Sequence, residues 1–307
     1  MFAVAGRARF AALLTVLAGG TGSPAPPLAV VSPIGSTALA EFSSGDAARD
    51  ATWKAAQPGL EWTELNLSGR GEARRIRVIA ARLDPARFRL SLENGMAPGG
   101  FLNVWTLDMA PSGAALALNA GMFAGAGAWG WVVHDGTEYR VPSTGPLARA
   151  VVVDSSGAVR LLDDEAVTAI RANKADVREA FQSYPALLDH GELPAMLTYG
   201  VASPALTAID LTHRDARLAL GIDSNGWLII ALTRFDVLGP SFGSIPFGLT
   251  IPETALLMRG LGAQTAVALD GGISAQLLLR DSVGETQQWP GLRPVPLGLS
   301  AVPVERQ

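Results

Sequence analysis

The chain has 307 residues, of which 49% are hydrophobic and 17% are charged, and it contains no cysteine. So large an apolar share excludes intrinsic disorder over most of the chain, and the absence of cysteine excludes disulfides, thiolate nucleophiles and Cys-ligated metal sites. The formal net charge of −4 and the absence of long basic tracts leave no electrostatic footprint for nucleic acid, so no nucleic-acid partner is expected.

The first residues have the pattern of an export signal. Arg7 and Arg9 precede the apolar run from Phe10 to Ala18, and small residues follow it. These nine apolar residues are too few to cross a hydrocarbon core about 30 Å thick as a helix, so no stable membrane span is expected after signal cleavage. A buried N-terminal helix is the alternative. We predict a signal peptide at 1–24, with a second candidate cleavage site after Ala40, and a periplasmic or secreted protein.

The rest of the chain divides into a leader and a domain rich in short strands. Residues 25–59 contain many proline and small residues and are predicted to form a flexible leader, so that the domain covers residues 60–307. The segment from Glu61 to Leu67 alternates apolar and polar residues, as a half-buried strand does. Short apolar runs that also predict strands follow at 75–79, 88–92, 115–118, 131–134, 150–153, 218–222, 227–232 and 267–269.

Turn and helix signals complete the expected fold. The run from Asp223 to Gly226 lies between two predicted strands and indicates a hairpin turn. The clearest helix begins at Thr250, where Thr-Ile-Pro-Glu is a capping box with proline in the first turn, and Gly262 ends it. Strands outnumber helices without a regular alternation, so the predicted class is α+β, with strand-rich mixed sheets and a few helices in a single catalytic domain.

Two sequence motifs resemble known functional signatures only in part. The run from Gly125 to Gly130 spells G-x-G-x-x-G, but it leads into a predicted strand instead of opening a helix, as a dinucleotide site requires. The run from Gly272 to Gln276 lacks the second glycine of a serine-hydrolase nucleophile elbow. No nucleotide cofactor is therefore expected, and a serine hydrolase is weakly supported.

Two polar clusters lie in the first half of the predicted domain, each beside an apolar strand. Asn119 ends one such strand and is followed closely by Gly121, which allows close approach of the backbone. Gln182 and Ser183 directly precede another apolar run. An asparagine that caps a turn and ordinary turn chemistry are the respective alternatives.

Two further clusters carry charge. His213, Arg214 and Arg217 immediately precede a buried strand, where desolvated cations would bind an anion strongly, although a solvated salt-bridge cluster is the alternative. Asp270 follows a buried strand, and Gly271 with Gly272 is expected to leave backbone N–H groups free for an anionic ligand. A plain Asp-Gly-Gly turn is the alternative for this last cluster. Four polar clusters at strand ends together favour a functional site.

Together these segments resemble the phosphodiester glycosidase family, whose members include a lysosomal enzyme that removes N-acetylglucosamine from mannose 6-phosphate and many bacterial envelope proteins. The resemblance extends from about residue 60 to about residue 299. The stretch Asn119–Phe123 matches the family's Asn-Ala-Gly-Met-Phe, and Leu269–Ser274 is similar to its Leu-Asp-Gly-Gly-x-Ser. The stretches that begin at Gln182 and at Arg217 are similar to its Gln-Ser-x-Pro and Arg-Thr-Ala-Ile-Gly. The chain also departs from the family pattern: Ile273 stands where many members have a third glycine, and Leu218 stands where many have threonine.

The resemblance implies an exported hydrolase that cleaves the glycosidic C–O bond of a sugar-1-phosphodiester in an envelope or extracellular glycan, so that a carbohydrate phosphodiester is the expected partner. A non-catalytic protein that binds an anionic glycan and a phosphodiesterase that breaks the P–O bond remain alternatives. The expected catalytic residues are Asp270, Asn119 and Arg217. The expected substrate-binding or phosphate-binding residues are His213, Arg214, Gln182, Ser183, Gly271, Gly272 and Ser274.

The expected chemistry requires carboxylates and cations. Asp270 would act as nucleophile, base or metal ligand, Arg217 would bind the phosphate, and Ser274 and Asn119 would orient sugar hydroxyls or a water molecule. Asp223 and Asp215 are candidates for a second carboxylate. Whether a divalent cation such as Ca²⁺ or Mg²⁺ is bound through oxygen ligands is left open; Asp270 and Asp223 are the candidate ligands, and no contiguous ligand loop indicates the ion.

Overall fold

The computed structural model describes residues 48–49, 51–68, 74–93, 96–97, 100–101, 104–124, 127–173, 176–199, 210–235 and 248–304. All of these belong to one compact unit. The predicted signal peptide and most of the predicted leader lie outside the described residues, as does part of the glycine-rich run at 125–130. Among the described residues, no helix combines the length and the apolar character that crossing a membrane requires.

Strands make up most of the described secondary structure. They are β1 (Lys54–Gln57), β2 (Leu60–Ser68), β3 (Arg74–Leu83), β4 (Phe88–Glu93), β5 (Met96–Ala97), β6 (Gly100–Phe101), β7 (Leu116–Asn119), β8 (Phe123–Ala124), β9 (Gly127–Ala128), β10 (Val132–His134), β11 (Thr137–Arg140), β12 (Arg149–Val153), β13 (Val159–Leu162), β14 (Glu179–Ser183), β15 (Ala186–Leu188), β16 (Leu218–Asp223), β17 (Leu228–Phe235), β18 (Ala263–Leu269), β19 (Leu277–Arg280), β20 (Thr286–Trp289) and β21 (Gly298–Pro303). The α-helices with described bounds are α1 (Asp164–Ala172), α2 (Ala195–Tyr199) and α3 (Ile251–Gly260). Short 3-10 turns lie at Pro85–Arg87, Leu107–Met109 and Gly272–Ser274.

Three larger sheets contain most of these strands. The first has seven strands in the order β1-β2-β3-β17-β16-β18-β15. Two five-stranded sheets have the orders β11-β10-β14-β12-β13 and β20-β19-β7-β21-β4, and the pairs β5-β6 and β8-β9 form small hairpins. The predicted α+β class with many strands and few helices is confirmed. The sheets are antiparallel throughout the described pairings instead of mixed.

The seven-stranded sheet is buried on both faces. Ile79 and Leu83 of β3 pack into the main apolar core together with residues of the two five-stranded sheets. Ile76 and Val78 of the same strand face a second core, which α3 covers. Because alternate residues of a strand point to opposite faces, this two-sided burial explains why the central strands are continuous apolar runs.

The strongest local sequence signals, the capping box and the hairpin turn, predicted their elements correctly. Helix α3 has Thr250 as N-cap, and the reciprocal capping box with Glu253 is present. The turn at 223–226 joins β16 and β17, as predicted. The sequence analysis did not identify helix α1, whose N-cap is Asp163. The ordered domain also begins before the predicted boundary at residue 60, since β1 lies within the predicted leader and pairs with β2.

Candidate active site

Two neighbouring strands bring a carboxylate and a guanidinium to one edge of the seven-stranded sheet. In the antiparallel pair of β16 and β18, Leu218 lies opposite Leu269. Arg217, the residue before β16, and Asp270, the residue after β18, are therefore placed side by side. Both line a cavity of about 410 Å³ at this edge. A cavity of that size falls within the range of small-molecule sites.

Hydrogen bonds with a segment distant in sequence hold the main chain of Asp270. The side-chain amide of Asn119 donates to the carbonyl oxygen of Asp270 at 2.9 Å, and the N–H of Asp270 donates to the carbonyl of Gly121 at 3.0 Å. The side-chain oxygen of Asn119 accepts from the N–H of Gln276 at 3.0 Å. Asn119 is only 1% exposed. It therefore positions Asp270 from behind instead of reaching into the cavity, and it does not cap a turn.

The side chain of Asp270 combines burial with local hydrogen-bonding partners. Burial raises the pKa of the Asp270 carboxyl, while the hydroxyl of Ser274 and the cation of Arg293 act in the opposite direction. A guanidinium nitrogen of Arg293 lies 3.4 Å from Oδ2 of Asp270. Arg293 also donates from Nε to Oγ of Ser274 at 2.6 Å. The carboxylate is thus oriented by two side chains and still faces the cavity.

Arg217 is the cation that the cavity holds most deeply. Its Nε donates to the carbonyl of Leu249 at 2.7 Å and its Nη2 to the carbonyl of His213 at 2.5 Å. Burial lowers the pKa of Arg217, but an arginine remains protonated at neutral pH. Within the described part of the chain, its Nη1 has no hydrogen-bond partner. A desolvated guanidinium with free N–H groups is suited to bind a phosphate oxygen.

Asp215 provides a second carboxylate in the same cavity. Its Oδ1 accepts from the N–H of Ala216 at 2.8 Å, and its negative charge contributes to raising the pKa of Asp270. The other candidate, Asp223, is at the opposite end of β16, where its Oδ1 caps the hairpin turn by accepting from Asn225 and Trp227.

The two candidate metal ligands, Asp270 and Asp223, lie far apart. Asp223 lies opposite Ala263, at the start of β18, whereas Asp270 follows the end of that strand. At about 3.3 Å per residue, the length of β18 separates the two carboxylates by roughly 20 Å, so they cannot share one ion.

Arg214 and His213 flank the cavity but differ from Arg217 in their contacts. Arg214 forms a bidentate ion pair with Glu253, with both N–O distances at 2.7 Å, and Glu253 is 5% exposed. Glu253 also caps α3, so the guanidinium of Arg214 is committed to the fold. His213 is half-exposed, and its Nε2 lies 3.8 Å from Oδ2 of Asp215. The salt-bridge alternative thus describes Arg214, whereas Arg217 lines the cavity.

The second polar cluster supports the architecture from inside. The side-chain oxygen of Gln182 accepts from the N–H groups of Trp131 and Ser143, both at 2.8 Å. Ser183 is fully buried and donates to the carbonyl of Ala268 at 2.5 Å. Neither Gln182 nor Ser183 is among the residues that line the cavity. The cavity-lining residues of this segment are the next two in the chain, Tyr184 and Pro185.

The glycines after Asp270 allow close packing more than they supply free donors. A Cβ atom on Gly271 would lie 2.5 Å from the carbonyl of Ala216, and one on Gly272 would lie 2.8 Å from Oδ2 of Asp215. Gly272 also has a φ of +57°, which favours glycine. The expectation that both glycines leave N–H groups free is wrong for Gly272, because its N–H donates to Ala216 at 2.7 Å.

Arg293 is the functional candidate that the sequence analysis missed. Its guanidinium lies 4.6 Å from the ring centroid of Phe123 and next to Asp270, and it lines the cavity. The residue lies between β20 and β21 in an irregular segment that contains Pro290 and Pro294. No periodic pattern or adjacent polar cluster marks it. Its contact with the Asn-Ala-Gly-Met-Phe stretch exists only in the folded chain.

The cavity therefore combines two carboxylates and two guanidinium groups around a space for a small ligand. The guanidinium groups can bind an anion, and the carboxylates can stabilise positive charge or accept a proton. The family to which the chain belongs follows from comparison with known proteins. The model of the phosphodiester glycosidase family matches residues 112–301, which is more than half of the chain. The chain belongs to the phosphodiester glycosidase family.

Solved structures share the fold of this family member. The catalytic domain of zebrafish N-acetylglucosamine-1-phosphodiester alpha-N-acetylglucosaminidase, auto-inhibited by its pro-peptide, is 20% identical, with a TM-score of 0.61 over 83% of this chain and 88% of that one. A hypothetical protein from Synechocystis is 16% identical, with a TM-score of 0.50 over 80% of this chain and 62% of that one. Among curated proteins, none matches this chain.

Proposed function

We propose that this protein is an exported hydrolase that cleaves the glycosidic C–O bond of a sugar-1-phosphodiester in an envelope or extracellular glycan. Membership of the phosphodiester glycosidase family supports a hydrolase that acts on a carbohydrate phosphodiester. The observation that carries the proposal is the placement of Asp270 and Arg217 side by side in one cavity. The carboxylate of Asp270 can stabilise positive charge on the sugar, and the guanidinium of Arg217 can bind the negatively charged phosphate.

The reaction follows from the charges that develop in it. As the anomeric C–O bond breaks, the phosphate oxygen keeps the electron pair and the sugar carbon gains positive charge. Arg217 binds the departing phosphate, and Arg293 reaches the same cavity with a second guanidinium. Asp270, held rigidly by its main chain, stabilises the sugar cation. Asp215 accepts the proton of the water molecule whose oxygen bonds to the anomeric carbon.

Isotope labelling tests which bond is broken. Hydrolysis of a sugar-1-phosphodiester in water enriched in oxygen-18 is expected to place the label on the sugar and none on the phosphate. Mass spectrometry of both products measures this directly. Label on the phosphate would instead identify a P–O phosphodiesterase. Saturable binding of a sugar phosphate without turnover would identify a binding protein and would contradict the proposed hydrolysis.

The pH dependence of the reaction should depend on Asp270. Burial raises the pKa of this carboxyl. The ionised form that the mechanism needs is therefore populated at a higher pH than in an ordinary aspartic acid. The cation of Arg293 lowers that pKa, and Arg293→Gln is therefore expected to move the acidic limb of the kcat/KM profile to higher pH. Arg259→Gln, which removes a half-exposed cation at the end of α3, is the control. A limb that stays in place or moves to lower pH in Arg293→Gln would contradict this role.

Export requires its own test, because the predicted signal peptide lies outside the described residues. The order of charged, apolar and small residues at the start of the chain supports cleavage and release to the periplasm or the medium. The exported protein is expected to lack at least residues 1–20. N-terminal sequencing of protein recovered outside the cytoplasm measures this, and an intact Met1 on that material would refute the predicted cleavage.

A further inference from the structure

A second group of ionisable side chains lies in the β11-β10-β14-β12-β13 sheet. His134 ends β10, Asp135 follows it in the turn to β11, and Glu179 opens β14, the neighbour of β10. One nitrogen or oxygen atom from each side chain lies within 4.8 Å of the other two. None of the three lines the candidate active site. The mechanism proposed above does not use this group.

The buried carboxyl of this group has an oxygen atom with no partner. Glu179 is 2% exposed, and its Oε2 lies 3.0 Å from Nδ1 of His134 and accepts from the N–H of Leu92 at 3.3 Å. Its Oε1 is buried and has no hydrogen-bond partner among the described residues. A buried carboxylate oxygen without a donor is costly, and native structures rarely leave one unsatisfied. A cation beside the carboxyl would satisfy it.

We propose that His134, Asp135 and Glu179 form a binding site for one Zn²⁺ ion. An imidazole nitrogen with two carboxylates is a donor set that suits Zn²⁺, whereas Ca²⁺ and Mg²⁺ prefer oxygen ligands alone. A neutral imidazole and two carboxylates also balance the charge of the ion. A water molecule completes the tetrahedral set.

One of the three side chains must turn to hold the ion, because Glu179 and Asp135 lie beside different nitrogens of the His134 ring. Ligand atoms about 2.1 Å from a tetrahedral Zn²⁺ lie roughly 3.4 Å from each other. Nδ1 of His134 already lies 3.0 Å from Oε2 of Glu179. The nearest carboxylate oxygen of Asp135 lies 3.5 Å from Nε2 of His134, and its side chain is 76% exposed. Because it is exposed, the Asp135 side chain can turn toward Nδ1 of His134, beside Glu179, without disturbing the core.

The ion would stabilise the fold and would not take part in the reaction. Glu179 accepts from Leu92 of β4, which belongs to the other five-stranded sheet. A Zn²⁺ ion bound there would link the β10-β11 turn to β14 and, through Glu179, to β4. We therefore expect a gain of stability on metal binding, with no requirement for the metal in turnover.

Titration of the metal-stripped full chain with ZnCl₂ tests the proposal. Calorimetry should show one Zn²⁺ per chain. At a hundredfold excess over Kd, the melting temperature should rise by roughly 5 °C or more, because binding only the folded state stabilises it. CaCl₂ should give neither heat nor shift. Absence of Zn²⁺ binding up to about 100 µM would overturn the proposal.

Variants locate the ion. His134→Ala and Asp135→Asn should each weaken Zn²⁺ binding at least tenfold, and Asp135→Asn preserves the turn because asparagine tolerates the φ of +46° at this position. His190→Ala is the matched control, since His190 is 93% exposed and lies 3.7 Å from Asp189 without a buried carboxylate. Unchanged affinity in Asp135→Asn and His134→Ala would overturn the assignment. So would loss of binding only in His213→Ala, which would place the ion in the active-site cavity.

Discussion

Asp270→Asn should lower turnover of a sugar-1-phosphodiester by at least about 10²-fold, which corresponds to some 2.7 kcal/mol of transition-state stabilisation. The substitution removes the negative charge but keeps the shape of the side chain. The fold should survive, because the hydrogen bonds from Asn119 and to Gly121 use the main chain of residue 270. Burial already penalises the charged carboxylate, so a neutral amide should leave the melting temperature unchanged or higher.

Asp223→Asn is the matched control for this variant. It makes the same chemical change at the other end of the same pair of strands, where Asp223 only caps the hairpin turn. Its turnover should stay within about twofold of the parent. Rates and melting curves on the same preparations separate the two roles of Asp270. A lower melting temperature with normal turnover in Asp270→Asn would show that this carboxylate is structural.

Arg217→Ala should mainly weaken phosphate binding, whereas Arg214→Ala should mainly lower stability. Arg217→Ala removes the partly buried guanidinium, whose Nη1 has no partner among the described residues. Affinity for inorganic phosphate should therefore fall roughly tenfold to a hundredfold, as expected for a charge-assisted hydrogen bond worth about 1.5–3 kcal/mol. Arg214→Ala leaves the carboxylate of Glu253 buried without its partner. Its free energy of unfolding should fall by about 3 kcal/mol, while phosphate affinity stays near that of the parent.

Calorimetric titration with phosphate measures the affinity of each variant, and unfolding by denaturant measures its free energy of unfolding. Arg217 also donates to the carbonyl groups of Leu249 and His213, so some loss of stability is expected in Arg217→Ala as well. The affinity comparison is therefore made at a temperature where both variants are folded. Phosphate binding that is lost in Arg214→Ala and kept in Arg217→Ala would mean that the two roles are assigned to the wrong arginines.

The sequence analysis found the site because polar residues interrupt apolar strands at its edge. Arg217 and Asp270 each lie directly beside a continuous apolar run, and such runs are recognisable without the fold. The same reasoning also selected Asn119, Gln182 and Ser183, which hold the main chain of other segments and do not line the cavity. A position at a strand end is local information. The direction of a side chain and its distant partner depend on how the strands pair.

The sequence by itself determined the strand-rich α+β class, helix α3 with its capping box, the β16–β17 hairpin and the family resemblance. These depend on periodicity and on residues within a few positions of each other, so the local chain specifies them. Only the tertiary structure decided that Asp215, and not Asp223, accompanies Asp270, because the antiparallel register of β16 and β18 fixes which ends coincide. Only it brought Arg293 to Asp270 across 23 residues of chain. Such contacts follow from packing between sheets, which no local pattern records.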